Sequence, residues 1–419
     1  MTRESGVAVT VIEALADACG PEHVWEAGPA DTVDGVPVGW VAAPGSSGEV
    51  AEVLRFAAAE GLSVVPSGAG TKLDWGPPPT HVDVLLDLGR ITGVLDYAPS
   101  AMTATVAAGT PLRALRAYLL KENRRLPLDV GSPAATLGGV LATNEAGPLR
   151  HRFGAPRDLV VGVQVALDEG SLERGDLTTD GYDLARHVCG SYGTLGVITE
   201  ATVRLEPLPA TRAWVIRPVS TPREAQRLTE ALVASPLDPV AIEADLPGSA
   251  GGRPAEFAAL FEGDRATATL RAESAAKLLG GGATVEQLPP AWWGRYPFDV
   301  DDVALKIWGR PSELFAVVYA LRDAAGMPVP VRGSVGLGVA HVALPGTISP
   351  ERLDGMLTAA RTVLLARGGG GCSLLRAPLD LRELVESDGP APLPPAAARL
   401  KLALDPEDRL APGRLPDLA

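Results

Sequence analysis

Helical and strand-like spacings of apolar residues alternate along the first half of the chain. Apolar residues between 49 and 60 recur at helical spacing, with serines before them and Gly61 after them, and predict a helix. Thr110 and Pro111 begin another helix over 112–122, and an amphipathic run predicts one over 7–18. Alternating or β-branched runs predict strands over 62–65, 81–88, 102–107, 158–167 and 201–205, with a polar connector over 168–180.

The pattern changes after Pro207 and Pro209. Strands are predicted over 213–218, 255–262, 303–308 and 329–344, and helices over 222–234, 264–279, 311–324 and 350–367. A proline-rich linker over 390–395 then leads to a last helix over 396–404. The sequence therefore predicts an α+β protein in three parts, with a first domain over 1–209, a lobe with an antiparallel sheet over 210–375, and a C-terminal segment over 376–419.

Composition narrows the function classes. The 419 residues carry a formal net charge of -14, which argues against binding to nucleic acid or anionic lipid. Three scattered cysteines give no disulfide framework and no zinc or iron–sulfur signature, and five dispersed histidines predict no metal site. The chain has no basic and apolar leader and no apolar run long enough to span a membrane. We expect a cytoplasmic protein.

A loop of small residues, Pro66-Ser67-Gly68-Ala69-Gly70-Thr71-Lys72, follows the first predicted strand of this region. Interleaved glycines let several backbone N–H groups turn toward one point, which suits a phosphate. The loop matches neither a Walker loop nor the G-x-G-x-x-G fingerprint, so a tight turn between strands is the alternative reading.

Two further segments bring the backbone within reach of a ligand. Small residues crowd 133–147, which indicates either a ligand surface or close packing of a helix on a strand. Glycines recur in 190–199. Between these segments Arg150, His151, Arg152 and Arg157 form a basic cluster, which alone indicates only a solvated loop.

Four motifs in this order resemble the FAD-linked oxidases with the p-cresol methylhydroxylase/vanillyl-alcohol oxidase (PCMH) type of fold. They are PSGAGTKLDWG, ATLGGVLATNEAGPLRHRFGAPRDLVVGV, GYDLARHVCGSYGTLGVITEATVRLEPLP and LKLALDPEDRLAPGRL. Within that family the sequence is most similar to the FAD-binding accessory subunits of bacterial glycolate oxidases. The resemblance is strongest over 41–209 and returns at 396–415, and it implies that the C-terminal segment packs back on an FAD-binding domain.

The resemblance implies noncovalently bound FAD and a set of cofactor-binding residues. In the family, the first loop wraps the FAD pyrophosphate, the second segment lines the diphosphate and the flavin, and the third presents backbone groups to the cofactor. The corresponding residues here are Pro66, Ser67, Gly68, Ala69, Gly70, Thr71, Pro133, Thr136, Gly138, Gly139, Ala142, Thr143, Gly147, Gly193, Gly196, Val197 and Ile198.

The sequence departs from the family at three places, and each departure predicts weaker FAD binding. Ser67 and Ala69 replace family residues in the loop, where a Cβ is costly if a positive φ is required. Asp176 and Asp180 bring acids into a connector that usually carries lysines. Ala411 stands where relatives carry an asparagine.

Candidate catalytic residues are few. Catalytic members of the family carry a His-x-Gly-x-Gly-x-x-His-like stretch that supplies substrate or metal ligands, and its counterpart here begins at Arg332 and keeps only His341. Arg332 could bind a carboxylate and His341 could act at the substrate; a surface arginine and a core histidine are the alternatives. The aromatic stretch 292–298 and the segment 306–308 could line a pocket or an interface, or pack in the core.

Three functions follow from the resemblance. The chain could be the FAD-binding subunit of a glycolate oxidase-like complex, working with a catalytic FAD subunit and an iron–sulfur subunit. It could instead be a stand-alone FAD-dependent dehydrogenase of a small 2-hydroxy acid, or a scaffold subunit that keeps the fold without flavin. Because the chain has no cysteine motif, an iron–sulfur centre would belong to another chain.

Overall fold

The computed structural model describes residues 4–176, 183–248, 253–382, 384–385 and 395–415. These residues form two sheet-based subdomains, a larger lobe built on an eight-stranded sheet, and a C-terminal segment that returns to the first subdomain. The predicted α+β architecture is confirmed, because the helices pack beside mainly antiparallel sheets.

The first subdomain is a five-stranded sheet in which β3, β5 and β4 run parallel and β1 and β2 pair with β3. Ser46 accepts a hydrogen bond from the Glu49 amide at the start of the second helix, and Gly61 ends that helix at φ 67°, as predicted. The elements are α1 (Glu4–Cys19), β1 (Val24–Glu26), β2 (Thr32–Val33), β3 (Val36–Ala42), α2 (Ser47–Glu60), β4 (Val64–Ser67) and β5 (Val82–Asp87).

The second subdomain is an antiparallel sheet in the order β10-β9-β11-β7-β6, with short helices against it and a small β8–β12 ribbon beside it. Its elements are β6 (Val94–Ala98), β7 (Thr103–Ala107), α3 (Leu112–Lys121), β8 (Arg124–Arg125), α4 (Leu137–Thr143), α5 (Arg150–Phe153), α6 (Pro156–Leu159), β9 (Val160–Ala166), β10 (Leu172–Asp176), α7 (Leu184–Val188), β11 (Val197–Arg204) and β12 (Glu206–Pro207).

Three expectations for this subdomain are wrong. The strand predicted over 158–167 starts at Val160, because Pro156 begins a helical turn that ends at Leu159. The connector predicted over 168–180 contains strand β10, which pairs with β9. Thr110 does not cap α3: its hydroxyl accepts a hydrogen bond from the Gly93 amide at 2.9 Å.

The lobe is an antiparallel sheet in the order β16-β13-β15-β14-β18-β19-β17-β20, with four long helices on one face. Alternate residues such as Phe257 and Phe261 point into the core beneath those helices. The lobe contains β13 (Thr211–Val219), α8 (Pro222–Val233), β14 (Ala241–Leu246), β15 (Ala255–Gly263), α9 (Arg265–Leu279), β16 (Thr284–Glu286), β17 (Val303–Gly309), α10 (Leu314–Ala325), β18 (Val331–Ser334), β19 (Val339–Leu344), α11 (Pro350–Ala366) and β20 (Gly370–Arg376).

Sequence reasoning missed several strands of the lobe. The region predicted as one strand over 329–344 is a pair, β18 and β19, joined by a 3-10 turn at Val335–Leu337 that ends with Gly338 at φ 71°. Strands β14, β16 and β20 were not predicted. Their side chains include acids, glycines and serine, which hide the two-residue alternation.

The C-terminal segment adds α12 (Leu379–Arg382) and α13 (Pro395–Leu404) and then runs beside β4. The Val64 amide donates to the Arg409 carbonyl, and the Ala411 amide donates to the Val64 carbonyl, both at 2.9 Å. Arg414 Nη1 donates to the Leu73 carbonyl at 2.9 Å. This part of the chain therefore returns to the first subdomain, as predicted, while most of the linker predicted over 390–395 lies outside the described residues.

Cys19, Cys189 and Cys372 are buried free thiols. Within the described ranges, none of the helices is long and apolar enough to cross a membrane.

Candidate functional site

A cleft between the two subdomains, the loop cleft, encloses about 690 Å³. Its walls are the loop after β4, the helix α4 and the segment 192–198. Most predicted cofactor residues line it, namely Pro66, Ser67, Gly68, Ala69, Gly70, Thr71, Thr136, Gly138, Gly139, Ala142, Thr143, Gly193, Gly196 and Ile198. Three predicted residues do not: Val197 is buried in the core, Gly147 lines a neighbouring cavity, and Pro133 borders an outer groove.

Glycine is required at two positions of the loop for different reasons. A Cβ on Gly68 would lie 2.2 Å from Oγ1 of Thr136 on the opposite wall. Gly70 has φ 67°, a conformation that glycine adopts without strain. Neither Ser67 nor Ala69 has a positive φ, so the expectation that their Cβ atoms strain the loop is wrong.

The backbone of this loop fits an anionic group. Among the described residues, no protein acceptor takes the N–H groups of Gly68, Ala69, Gly70 or Thr71. Consecutive amides without acceptors are the donor set that a pyrophosphate requires. Across the cleft, a Cβ added at Gly193 would lie 2.6 Å from Cγ of Pro66. The two walls can approach each other this closely only because residue 193 is a glycine.

The last residue of the loop motif is tied to the lobe through a buried carboxylate. Lys72 Nζ lies 2.7 Å from Glu145 Oε2, and the two side chains are only 4% and 1% exposed. Oε1 of Glu145 accepts hydrogen bonds from the Ser132 amide at 3.0 Å and from the Tyr296 hydroxyl at 2.8 Å. The Tyr296 ring stands edge-on to His341, with centroids 4.8 Å apart.

The helix-free face of the lobe sheet presents a row of polar side chains to the two subdomains. Strand register places Asp245 opposite Arg332, Arg332 opposite His341, His341 opposite Lys306, and Lys306 opposite Ser373. Opposed residues of antiparallel strands point to the same face, so these five side chains form one line across five strands. Arg332 is held within the row: its Nε donates to Asp245 at 2.9 Å and its Nη1 to the Tyr296 carbonyl at 2.9 Å.

Two cavities lie between this row and the two subdomains. The small cavity, about 440 Å³, is lined by Arg150, Glu243, Tyr296, Arg332, Ser334 and His341 among others. The large cavity, about 2090 Å³ and open at one side, is lined by Arg150, Arg157, Asp158, Lys306, Arg310 and Arg414 among others. The charged residues of the large cavity are mainly cationic, although the whole chain is acidic.

Arg150 borders both cavities. Its side chain makes no hydrogen bond or ion pair with any described residue, and its Nε is buried. Lys306 likewise makes no hydrogen bond or ion pair within the described part of the chain. Two cations without protein partners beside one cavity are suited to bind an anion.

Burial changes the protonation of the groups around these cavities. Burial, reinforced by the neighbouring Lys306 and Arg150, lowers the pKa of His341 to about 3, so its imidazole is neutral. Burial and the Arg150 charge lower the pKa of Lys306 to about 8. Burial raises the pKa of Glu243 to about 8 although Ser334 donates a hydrogen bond to it, so this carboxyl carries a proton at neutral pH.

The sequence-predicted catalytic pair is brought together, but it is not the whole site. Arg332 is buried against Asp245 and not at the surface, and His341 borders the small cavity beside it. Arg150 was read as part of a solvated basic loop; only Arg152 and Arg157 of that loop fit the reading, with side chains 44% and 60% exposed. Of the segment 306–308, which could line a pocket or an interface or pack in the core, Lys306 and Trp308 line the large cavity. Glu243 had no signal in the sequence. Asp176 ends β10, and Asp180 lies outside the described residues.

Residues 39–176 match a family described as an FAD binding domain. The chain is 35% identical over 182 residues to a D-2-hydroxyglutarate dehydrogenase of Xanthomonas citri pv. viticola, covering 42% of this chain and 39% of that protein. It is 32% identical over 208 residues to glycolate oxidase subunit GlcD of Bacillus subtilis, covering 48% and 44%. The chain thus spans less than half of the length of these curated relatives.

Solved structures show the same fold over nearly the whole chain. An alkyldihydroxyacetonephosphate synthase superposes with a TM-score of 0.71 at 18% identity, covering 96% of this chain and 84% of that one. The 4-ethylphenol oxidase of Gulosibacter chungangensis superposes with a TM-score of 0.68 at 16% identity, covering 97% and 96%. The chain therefore has the fold of these two proteins, as its motifs predict, and its residues 39–176 match an FAD binding domain, which supports FAD as the cofactor.

Proposed function

We propose that this chain is the FAD-binding subunit of a glycolate oxidase-like oxidoreductase and that it holds the carboxylate of a small 2-hydroxy acid beneath its lobe. The unpartnered Arg150 guanidinium between the small and large cavities carries the proposal. A planar guanidinium binds a carboxylate through two parallel hydrogen bonds, and burial strengthens that contact. The relatives named as dehydrogenases or oxidase subunits of 2-hydroxy acids support this substrate class.

The loop cleft would hold FAD noncovalently, and bound FAD would provide the acceptor for a hydride from the carbinol carbon. The backbone amides of the loop would bind its pyrophosphate, and the glycines of the opposite wall would let it approach. In the small cavity Arg150 would orient the carboxylate. His341 is neutral and therefore able to accept the hydroxyl proton, although its low pKa makes it a weak base.

Anaerobic titration tests both halves of the proposal. The purified chain is loaded with FAD and mixed with glycolate or D-lactate while the visible flavin absorbance is followed. We expect bleaching, and we expect Arg150→Gln to raise the substrate concentration for half-bleaching at least tenfold, since an ionic hydrogen bond contributes about 1.5–3 kcal/mol. Arg157→Gln is the matched control, because Arg157 borders the large cavity but is 60% exposed. Failure to take up FAD would overturn the proposal.

A purely accessory role is the second candidate. Arg332 stands where catalytic relatives begin a histidine-rich stretch, and the described residues contain no cluster able to hold a metal ion. In that case a catalytic FAD subunit and an iron–sulfur subunit would carry the chemistry. FAD uptake without bleaching by any small 2-hydroxy acid, together with wild-type behaviour of Arg150→Gln in the assembled complex, would favour this candidate over the first.

A further inference from the structure

We infer that Lys306 is a carbonyl-reactive lysine that forms a reversible imine with small 2-oxo acids at the wall of the large cavity. The inference rests on the proposed function for the identity of the oxo acid, because oxidation of a 2-hydroxy acid yields a 2-oxo acid. The proposed function has the 2-hydroxy acid bound noncovalently. The inference adds a covalent ligand, the 2-oxo acid, at Lys306.

Lys306 lies in the middle of β17, an internal strand with β19 on one side and β20 on the other. Its side chain points to the helix-free face, between His341 and Ser373 of the polar row, and borders the large cavity. A strand in the centre of a sheet holds its side chains in place better than a loop does. The amine is therefore presented to the cavity in a fixed position.

The two fully buried lysines, Lys72 and Lys401, are neutralised, whereas the partly buried Lys306 is not. Lys72 is paired with Glu145, and Lys401 with Asp405 and Asp408. Lys306 has no acidic partner in the described ranges, and the Arg150 guanidinium is the charge that adds to burial in lowering its pKa. The other charged groups that line the large cavity are Arg157, Asp158, Arg310 and Arg414.

This environment favours the nucleophilic form of the amine. Burial, followed by the Arg150 charge, lowers the pKa of Lys306 from 10.5 to about 8, so a much larger fraction is unprotonated at neutral pH. Desolvation beside another cation is an established way to activate a lysine for imine formation. Arg150 also provides a partner for the carboxylate of the oxo acid.

The reaction balances without an oxidant or reductant. The lone pair of Nζ attacks C2 of the oxo acid, the C–N bond forms as the carbonyl π bond opens, and an amine proton moves to the oxygen. The hydroxyl group then leaves with the second amine proton as water, and the imine remains.

Reductive trapping tests the inference on protein without FAD. The protein is incubated with glyoxylate and cyanoborohydride, which reduces an imine to a carboxymethyl amine, and digested for peptide mass analysis. We expect the initial rate of carboxymethylation at Lys306 to exceed that at the exposed Lys121 and Lys277 at least about tenfold, the factor that one pKa unit provides. Equal labelling of all these lysines, or none at Lys306, would overturn the inference.

Two variants and a second aldehyde complete the test. Lys306→Arg keeps the charge but cannot form an imine. The carboxymethyl label at position 306 should therefore disappear, while Lys121 and Lys277 keep theirs. Arg150→Gln should slow trapping by glyoxylate more than trapping by glycolaldehyde, which has no carboxylate. The internal comparison among lysines of the wild type stands even where a variant fails to fold. Trapping without flavin bleaching would refute the proposed activity alone, and bleaching without trapping would refute this inference alone.

Discussion

The Tyr296 hydroxyl donates to Oε1 of Glu145 over 2.8 Å, and this contact joins the lobe to the FAD-binding domain through a carboxylate that is 1% exposed. The same carboxylate compensates Lys72 at the end of the loop 66–72. With the Ser132 amide, which also donates to Glu145, three partners therefore depend on one buried carboxylate. A change there should affect the folding of both parts of the molecule.

Glu145→Ala should lower the free energy of unfolding by about 3–5 kcal/mol, because it leaves Lys72 buried and uncompensated. Urea unfolding measures the effect. Arg174→Ala, which removes an exposed partner of Glu200, should cost less than about 1 kcal/mol and serves as the control. If Glu145→Ala unfolds at the same urea concentration as wild type, the ion pair does not stabilise the fold.

Gly68→Ala should weaken FAD binding, because the new Cβ would lie 2.2 Å from Oγ1 of Thr136 and would push the loop from the opposite wall. Titration with FAD, followed by quenching of flavin fluorescence, gives the dissociation constant. Gly355→Ala is the matched control, since no atom lies within 4 Å of a Cβ built at that helical position. Ala69→Gly should not tighten binding, because Ala69 has no positive φ.

Glu243 should make stability fall as pH rises. Its pKa is raised from 4.5 to about 8 in the folded protein, mainly by burial, so the folded state binds the extra proton between these values. The stabilisation is complete below pH 4.5 and is lost as pH rises toward 8, at up to about 1.4 kcal/mol per pH unit. Unfolding free energies of wild type and Glu243→Gln from pH 5 to 8 should therefore differ in slope. Asp129, whose pKa burial raises to about 7, remains in both proteins.

Arg332→Lys should loosen the segment around Tyr296 while keeping the charge beside Asp245. The guanidinium holds the carbonyls of Arg295 and Tyr296 at 3.2 and 2.9 Å, and a lysine cannot reproduce that fork. Hydrogen exchange of residues 294–298 should accelerate, with a stability loss of about 1–2 kcal/mol. Arg253→Lys, at the exposed partner of the same aspartate, should change neither quantity. A raised KM for substrate with unchanged exchange would instead make Arg332 a direct substrate ligand.

The sequence predicts the parts of this protein that depend on backbone chemistry. The loop at 66–72 and the small residues around Thr136 are local signals, since glycine reports where a backbone must bend or approach. Arg150 and Lys306 gave no such signal. Arg150 belongs to a basic cluster that alone indicates a solvated loop, and Lys306 to a segment that could equally pack in the core. Each becomes distinctive only when the lobe sheet is folded over the FAD domain. The row from Asp245 to Ser373 depends on strand order, and three of the strands in the sheet were not predicted.

The backbone contact between Val64 and residues 409–411 has a consequence for the order of events during synthesis. Strand β4 leads directly into the loop 66–72, but the segment that pairs with its outer edge is made more than three hundred residues later. A nascent chain that has completed residues 39–176 therefore has the loop sequence without the strand that supports it. Tight capture of FAD should follow the arrival of residue 411, so that uptake of the cofactor would report that residues 409–411 have paired with β4.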